Sequence, residues 1–301
     1  MLALLGLVGL AVAGTAFVGV MPSDEGADAP LTDTDDTVDL EETQDLLAQM
    51  TAPGAPGPAP AEPLDEVVGG EVITGEVITG TDSADTLTGT EGDDYIGGGD
   101  GNDSATGGDG DDQMHGHSGD DVLSGGRGDD LMTGDLGDDR LDGGEGDDSL
   151  SGGSGDDVLT GGDGADVLAG GYGDDTLIGG AGEDNLQGSD GNDRLDGVTG
   201  EDVAQRDYLN GSEGNDHLIG NDGDVMSGGA DADTFEVHSG LVSIMDYTAE
   251  DVLVLNHQGT PPVLTTQTTA QGVTLLADGE PVAALYGLSS FDVTSVQFVA
   301  G

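Results

Sequence analysis

From residue 80 to residue 196 the chain is cut into nine-residue units without a gap. There are thirteen of them, each beginning with Gly and each carrying Asp at its sixth position. The shared form is G-G-x-G-x-D-x-U-x, with U a large apolar residue. It is plainest in GGEGDDSLS from Gly143, GGSGDDVLT from Gly152 and GGDGADVLA from Gly161. A period held this long means one structural unit repeated, each copy burying its apolar residue against its neighbours, and no closed globular core. Gly at positions one, two and four predicts turn backbone over the first six residues. The last three, x-U-x, predict a short strand with one inward side chain. Position eight supplies it: Leu87, Ile96, Ala105, Met114, Leu123 and Met132, then Leu141, Leu150, Leu159, Leu168, Leu177, Leu186 and Leu195.

A three-residue strand cannot stand alone, so successive copies must stack. Stacking brings the position-six carboxylates to about the 4.8 Å spacing of adjacent strands, where bare charges repel. A hard divalent cation held by oxygens removes that repulsion, and calcium accepts six to eight such ligands. A flexible acidic Gly/Asp linker would explain the glycines and the charge, but it has no need of an apolar residue every nine positions.

This register resembles the RTX nonapeptide repeat of secreted bacterial proteins, closely over residues 80–196 and loosely over 197–236. The resemblance implies an all-β fold, a right-handed parallel β-roll in which two copies make one coil and calcium is stacked between coils. Carried over here, one row of ligands would be Asp85, Asp103, Asp121, Asp139, Asp157, Asp175 and Asp193. The other would be Asp94, Asp112, Asp130, Asp148, Asp166 and Asp184, and Asp216 of a later copy is a further candidate ligand. Backbone carbonyls at positions two and four would complete each shell. Those are Gly99, Gly101, Gly108, Gly110, Gly126, Gly128, Gly144, Gly146, Gly153, Gly155, Gly162, Gly164, Gly171, Gly173, Gly180 and Gly182. Rows of seven and six aspartates enclose at most eleven ions. The first copy departs from the pattern, with Thr81 and Ser83 in place of glycines.

Charge fits that expectation. Acidic residues number 63 against 4 basic ones, a formal net charge of −59, and there is no lysine. Such a chain has no electrostatic attraction for nucleic acid or an anionic membrane. Self-repulsion and few aromatics predict a largely disordered metal-free chain that folds on binding calcium. At ten times its dissociation constant each site would contribute about 1.4 kcal/mol through linkage. Extracellular calcium modules bind in the range of about 10⁻⁴–10⁻³ M, which predicts folding outside the cell. Cysteine is absent, so neither disulfides nor thiolate sites are available.

Around the repeats the expected organisation is as follows. Residues 1–20, MLALLGLVGLAVAGTAFVGV, form a hydrophobic helix that is either a membrane anchor or a cleaved secretory signal. Residues 21–79 are a disordered acidic linker with a Pro/Ala/Gly tract and, at its end, EVITG twice as a β-prone lead. Residues 197–236 are degenerate repeats. In them Gly197 to Asp202 opens a copy, VAQRDYLN is inserted at 203–210 and interrupts one calcium row, and GSEGNDHLI restores the register. The insertion is a surface loop or a partner-binding loop, the latter using Arg206 and Tyr208. Residues 237–301 alternate β-branched and polar residues and predict a C-terminal β cap, with Asp278-Gly279 as a hairpin turn. The run ADADTFEVHSG…IMDYTAEDVLVL resembles the end of serralysin-type RTX proteins, which implies a type I secretion signal and its export machinery as a partner.

No H-E-x-x-H, G-x-S-x-G, P-loop or EF-hand loop occurs, and the chain is expected not to be an enzyme. His115 and His117 form H-x-H, but at repeat positions expected to face solvent. Two functions remain open. One is a calcium-binding scaffold, spacer or adhesive module, secreted or tethered at a bacterial surface through residues 1–20. The other is the non-catalytic secretion module of a secreted hydrolase such as a serralysin-type protease.

Overall fold

A computed structural model of the chain describes residues 75–200 and 205–300, with two short backbone strands before them, Val67–Val68 and Glu71–Val72. The expected N-terminal helix at residues 1–20, and the linker up to residue 66, lie outside the described residues. Among those described, no helix is long and apolar enough to cross a membrane.

The repeats form a parallel β-solenoid. Strands alternate between two sheets, one of eleven strands and one of thirteen. Each strand in the regular region pairs with the strand one coil away, so Leu141 lies beside Leu123 on one side and Leu159 on the other. The eighteen-residue coil follows from two nonapeptides, as the repeat predicts.

The strands are twice as long as the x-U-x pattern suggests. Val122–Arg127, Leu131–Leu136 and Arg140–Glu145 each span six residues, covering positions seven to nine of one copy and one to three of the next. The two glycines stay extended enough to continue the ladder. Position two pairs in register (Gly144 with Gly162) while position one is passed over. Only Gly-x-Asp then makes the corner. At position four, Gly128 and Gly146 hold φ of 120° and 139°, where a β-carbon is disfavoured.

Position eight faces inward throughout. Met114, Met132, Leu168 and Leu186 form one buried column and Leu141, Leu159, Leu177 and Leu195 the other. This gives a core one side chain thick from each sheet. It is continued by Leu209, Leu218, Met226 and Phe235.

Two departures from the predicted organisation stand out. The solenoid starts one copy earlier than Gly80. Val77–Thr79 pairs with Tyr95, Ile96 and Gly97, placing Ile78 at position eight and Glu76 at position six of a glycine-poor copy. The insertion sits elsewhere than expected and adds five residues. Register jumps from eighteen to twenty-three between Leu186 and Leu209, and Tyr208–Glu213 is a regular six-residue strand, so the extra residues lie between Gly197 and Asp207. The copy from Gly220 is one residue short, as its sequence indicates, and Leu209 pairs with Met226.

Past residue 237, Val242–Ile244 and Val252–His257 add one more parallel strand to each sheet. Leu264–Thr268, Gly272–Ala277 and Glu280–Tyr286 then fold into an antiparallel meander. Asp278 (φ 51°) and Gly279 (φ 94°) make the predicted two-residue turn between the last two. Gln297–Ala300 lies parallel to Val252–His257 at the edge of the eleven-stranded sheet.

Because each column is a single file, a cavity in it has no second layer to relax into. Leu159 is fully buried, and Leu159→Ala is expected to cost about 2–5 kcal/mol, read as a lower denaturation midpoint of the calcium-loaded protein. A loss below about 1 kcal/mol would show that the column is not close-packed.

Candidate metal centre

The position-six aspartates come together as the repeat requires, in two rows down the solenoid. Their side chains turn inward at the corner and are only 1–2% exposed from Asp94 to Asp193. One carboxylate oxygen of each is committed to the backbone. The Asp139 N–H donates to Oδ1 of Asp157 at 2.7 Å, and the Asp157 N–H to Oδ1 of Asp175 at 2.8 Å. The same bond recurs from Asp85 to Asp103 and from Asp94 to Asp112 onward.

Oδ2 differs. In Asp103, Asp112, Asp121, Asp130, Asp139, Asp148, Asp157, Asp166, Asp175, Asp193 and Asp216 it is buried and accepts no hydrogen bond. Burying an unpaired carboxylate oxygen is costly, and a run of them is unexplained by the protein alone. Other oxygens face the same place. A β-carbon built on Gly125 would collide with Oδ2 of Asp130 and lie 2.8 Å from the carbonyl oxygen of Gly143, one coil on. Position one is therefore glycine because the carboxylate occupies the space of its side chain.

The carbonyls expected as ligands, at positions two and four, point along the stack. Those of Gly108 and Gly110 lie where side chains on Gly126 and Gly128 of the next coil would fall. At the equivalent place in the first coil, the Thr90 carbonyl accepts the Asp109 N–H at 3.1 Å. The position-one carbonyl, absent from the sequence-based expectation, is the one that shares a point with Oδ2.

Among the described residues no three His, Asp or Glu side chains converge on a metal-sized site. With one carboxylate from each of two coils, an ion here needs main-chain oxygen as well. An all-oxygen set suits calcium and offers no nitrogen or sulfur for a softer metal.

The rows run further than the regular repeats. The Asp184 N–H donates to Oδ1 of Asp207 and that of Asp193 to Oδ1 of Asp216, both at 2.8 Å. Asp207 in turn meets Asp224, Asp216 meets Asp233, and Asp233 meets Asp251. The insertion thus leaves the row intact, contrary to expectation. Asp207 takes position six in this copy. Ordinary repeat spacing misses Asp207, Asp224 and Asp251. The tripeptides Asp-Tyr-Leu and Asp-Val-Met at 207–209 and 224–226 are the signal that could have found the first two.

A second ladder, also not foreseen, runs along the exposed side of each corner. Position-five carboxylates accept position-five N–H groups one coil on, as in Asp147 N–H to Oδ1 of Asp129 at 2.9 Å. The histidines lie away from both ladders. The rings of His115 and His117 stack at 5.8 Å on the thirteen-stranded sheet, with His117 3.5 Å from Asp135. His217 and His238 both contact Glu236.

Burial raises ten carboxyls of the ladder well above the ordinary value. Asp130, Asp157, Asp166, Asp175 and Asp216 are pushed from 3.8 up to about 7. Asp112, Asp139, Asp148, Asp193 and Asp233 rise to about 6. Desolvation is the largest cause, the N–H bond to each carboxylate works against it, and neighbouring aspartates add to it.

The chain matches the RTX calcium-binding nonapeptide repeat (4 copies) over residues 74–105, 97–132, 106–141, 133–168, 169–204 and 203–235. These matches cover more than half of the chain, and it belongs to this family of calcium-binding repeats. Among curated proteins none matches the chain.

A carboxyl whose folded pKa lies above its unfolded value favours the folded state when protonated. Without metal, stability is fully present below about pH 4 and is lost as pH rises towards 7. Lowering the pH of chelator-treated protein from 8 to 5 is thus expected to increase β-type circular dichroism. Calcium affinity is expected to fall over the same window, because protons compete for the ligands. A metal-free fold that gains stability as pH rises from 5 to 8 would contradict these raised carboxyls.

Proposed function

We propose that this chain is a calcium-stapled structural module, secreted or displayed at a bacterial surface, which folds on meeting extracellular calcium. The observation that carries this reading is the run of buried, unpartnered Oδ2 atoms in a stack of aspartates. Six inter-coil spaces in the Asp103–Asp216 row and three in the Asp112–Asp166 row are bounded on both sides by such oxygens. The ligands would be Oδ2 of these aspartates with carbonyl oxygens of the glycine turns. Calcium would supply positive charge where the fold concentrates negative charge, and the chain's −59 is otherwise strongly opposed to compaction.

Extracellular function follows from the same chemistry. All-oxygen calcium modules of this affinity class stay empty at cytosolic calcium and fill outside the cell. A scaffold or adhesive role suits a solenoid whose two outer faces are long and regular. The serralysin-like C-terminal run supports export by a type I system, and residues 1–20 are the candidate for a membrane tether.

Circular dichroism of the full chain is expected to show little ordered structure in chelator at pH 7.5 and a β-rich spectrum in millimolar calcium. Equal folding in both would sink the proposal. Asp157→Asn is the sharper variant. It keeps an acceptor for the Asp139 N–H and removes one buried charge. It is expected to lower the calcium-dependent melting temperature while leaving the metal-free form no less stable; an unchanged calcium response would remove Asp157 from the ligand set.

A further inference from the structure

The Oδ2 atoms are not open in every copy, and the difference tracks one backbone angle. At the N-terminal end Oδ2 of Asp94 accepts the Thr90 N–H at 2.6 Å and the Thr90 hydroxyl at 3.2 Å. Oδ2 of Asp85 accepts the Thr81 N–H at 2.7 Å and its hydroxyl at 2.8 Å. Towards the other end the Asn221 N–H donates to Oδ2 of Asp224 at 2.6 Å. Thr81, Thr90 and Asn221 all stand at position two of their copies, and none has a positive φ. Wherever Oδ2 is unpartnered, from Asp103 to Asp175 and at Asp193 and Asp216, the position-two residue has φ between 77° and 132°.

The physical link is the direction of one peptide. With a negative φ the position-two N–H points into the corner and satisfies the carboxylate, giving a turn closed on itself. With a positive φ that N–H points elsewhere and the carboxylate is left facing an empty oxygen-lined space. Glycine takes the second state freely. His117 (φ 77°), Asp135 (φ 78°), Ser189 (φ 93°) and Ser212 (φ 88°) are not glycine, yet hold it too. A side chain is strained there. The protein gains no hydrogen bond to Oδ2 in return, so the strain points to a ligand that rewards the open turn.

We propose that the residue at position two selects, copy by copy, between an ion-accepting turn and a self-closed one, so that Thr81, Thr90 and Asn221 end the calcium ladder. This rests on the calcium reading above and goes beyond it, because it says where the ions stop. These turns then satisfy their carboxylates by backbone hydrogen bonds in place of an ion.

The test counts calcium ions on the full chain by native mass spectrometry in saturating calcium, with circular dichroism to verify folding. Thr90→Gly is expected to open its turn and raise the count by one over wild type. Thr90→Ala keeps the N–H and the negative φ, and is expected to leave the count unchanged. Thr81→Gly repeats the gain in the other row if T90G does not fold. A folded T90G with the wild-type count, or an extra ion in T90A, would overturn the selection by position two. A wild-type chain that retains no calcium fails the parent reading, and this inference with it.

Discussion

From Asp103 to Asp175, each stacked aspartate divides its two oxygens between backbone and a space the backbone leaves open. Oδ1 takes the N–H of the aspartate one coil earlier and so fixes the rise from coil to coil. Oδ2 is carried into the interior by the same geometry, where a carboxylate without a counter-charge is strongly disfavoured. The fold therefore contains its own instability. The bond that aligns the coils is the one that buries the charge, and burial lifts Asp112 to about 6 and Asp130 to about 7. Only protons or cations can relieve it, and at neutral pH a divalent ion with oxygen ligands is the better partner.

Glycine placement follows from that arrangement. Position one is bare because Oδ2 fills the place of its side chain, and position four because its neighbour's carbonyl lies against it. Position two is the exception. Side chains are tolerated there, as His117, Asp135, Ser189 and Ser212 show, provided the backbone keeps a positive φ. Thr81 and Thr90 do not keep it, and their donors satisfy the carboxylates locally. The core has less to say about which turns are open. One apolar residue per copy packs in single file, and Leu, Met or Phe serves equally.

At the C-terminal end the ladder closes with protein groups in place of further repeats. Asp246 accepts from the Ser227 hydroxyl and the Gly228 and Gly229 N–H groups, occupying the place that a following glycine turn would hold. Oδ2 of Asp251 accepts the Thr248 N–H, and the Tyr247 hydroxyl donates to the Asp251 carbonyl. Tyr247 also packs on Phe235, the last position-eight residue of the repeats. The Asp246-Tyr247 pair within the IMDYTAEDVLVL run is thus tied to the end of the stack.

Sequence alone determined the period, the inward residue of each copy, the two rows of aspartates and the oxygen-only chemistry, because a nine-residue repeat with Asp and Leu at fixed places has few ways to pair. It could not show that glycines at positions one and two extend the strands, since their conformational freedom hides which side of the turn they join. It also placed the inserted segment wrongly. That Asp207 takes position six depends on its reaching the N–H of Asp184 across the coil, a contact between residues far apart in the chain. The copy at Glu71–Thr79 was hidden because it lacks every glycine at the consensus positions and is held in register only by pairing with its neighbour. Which carboxylate oxygens stay open was likewise decided by tertiary structure, for it turns on the direction of a single peptide bond packed between two coils.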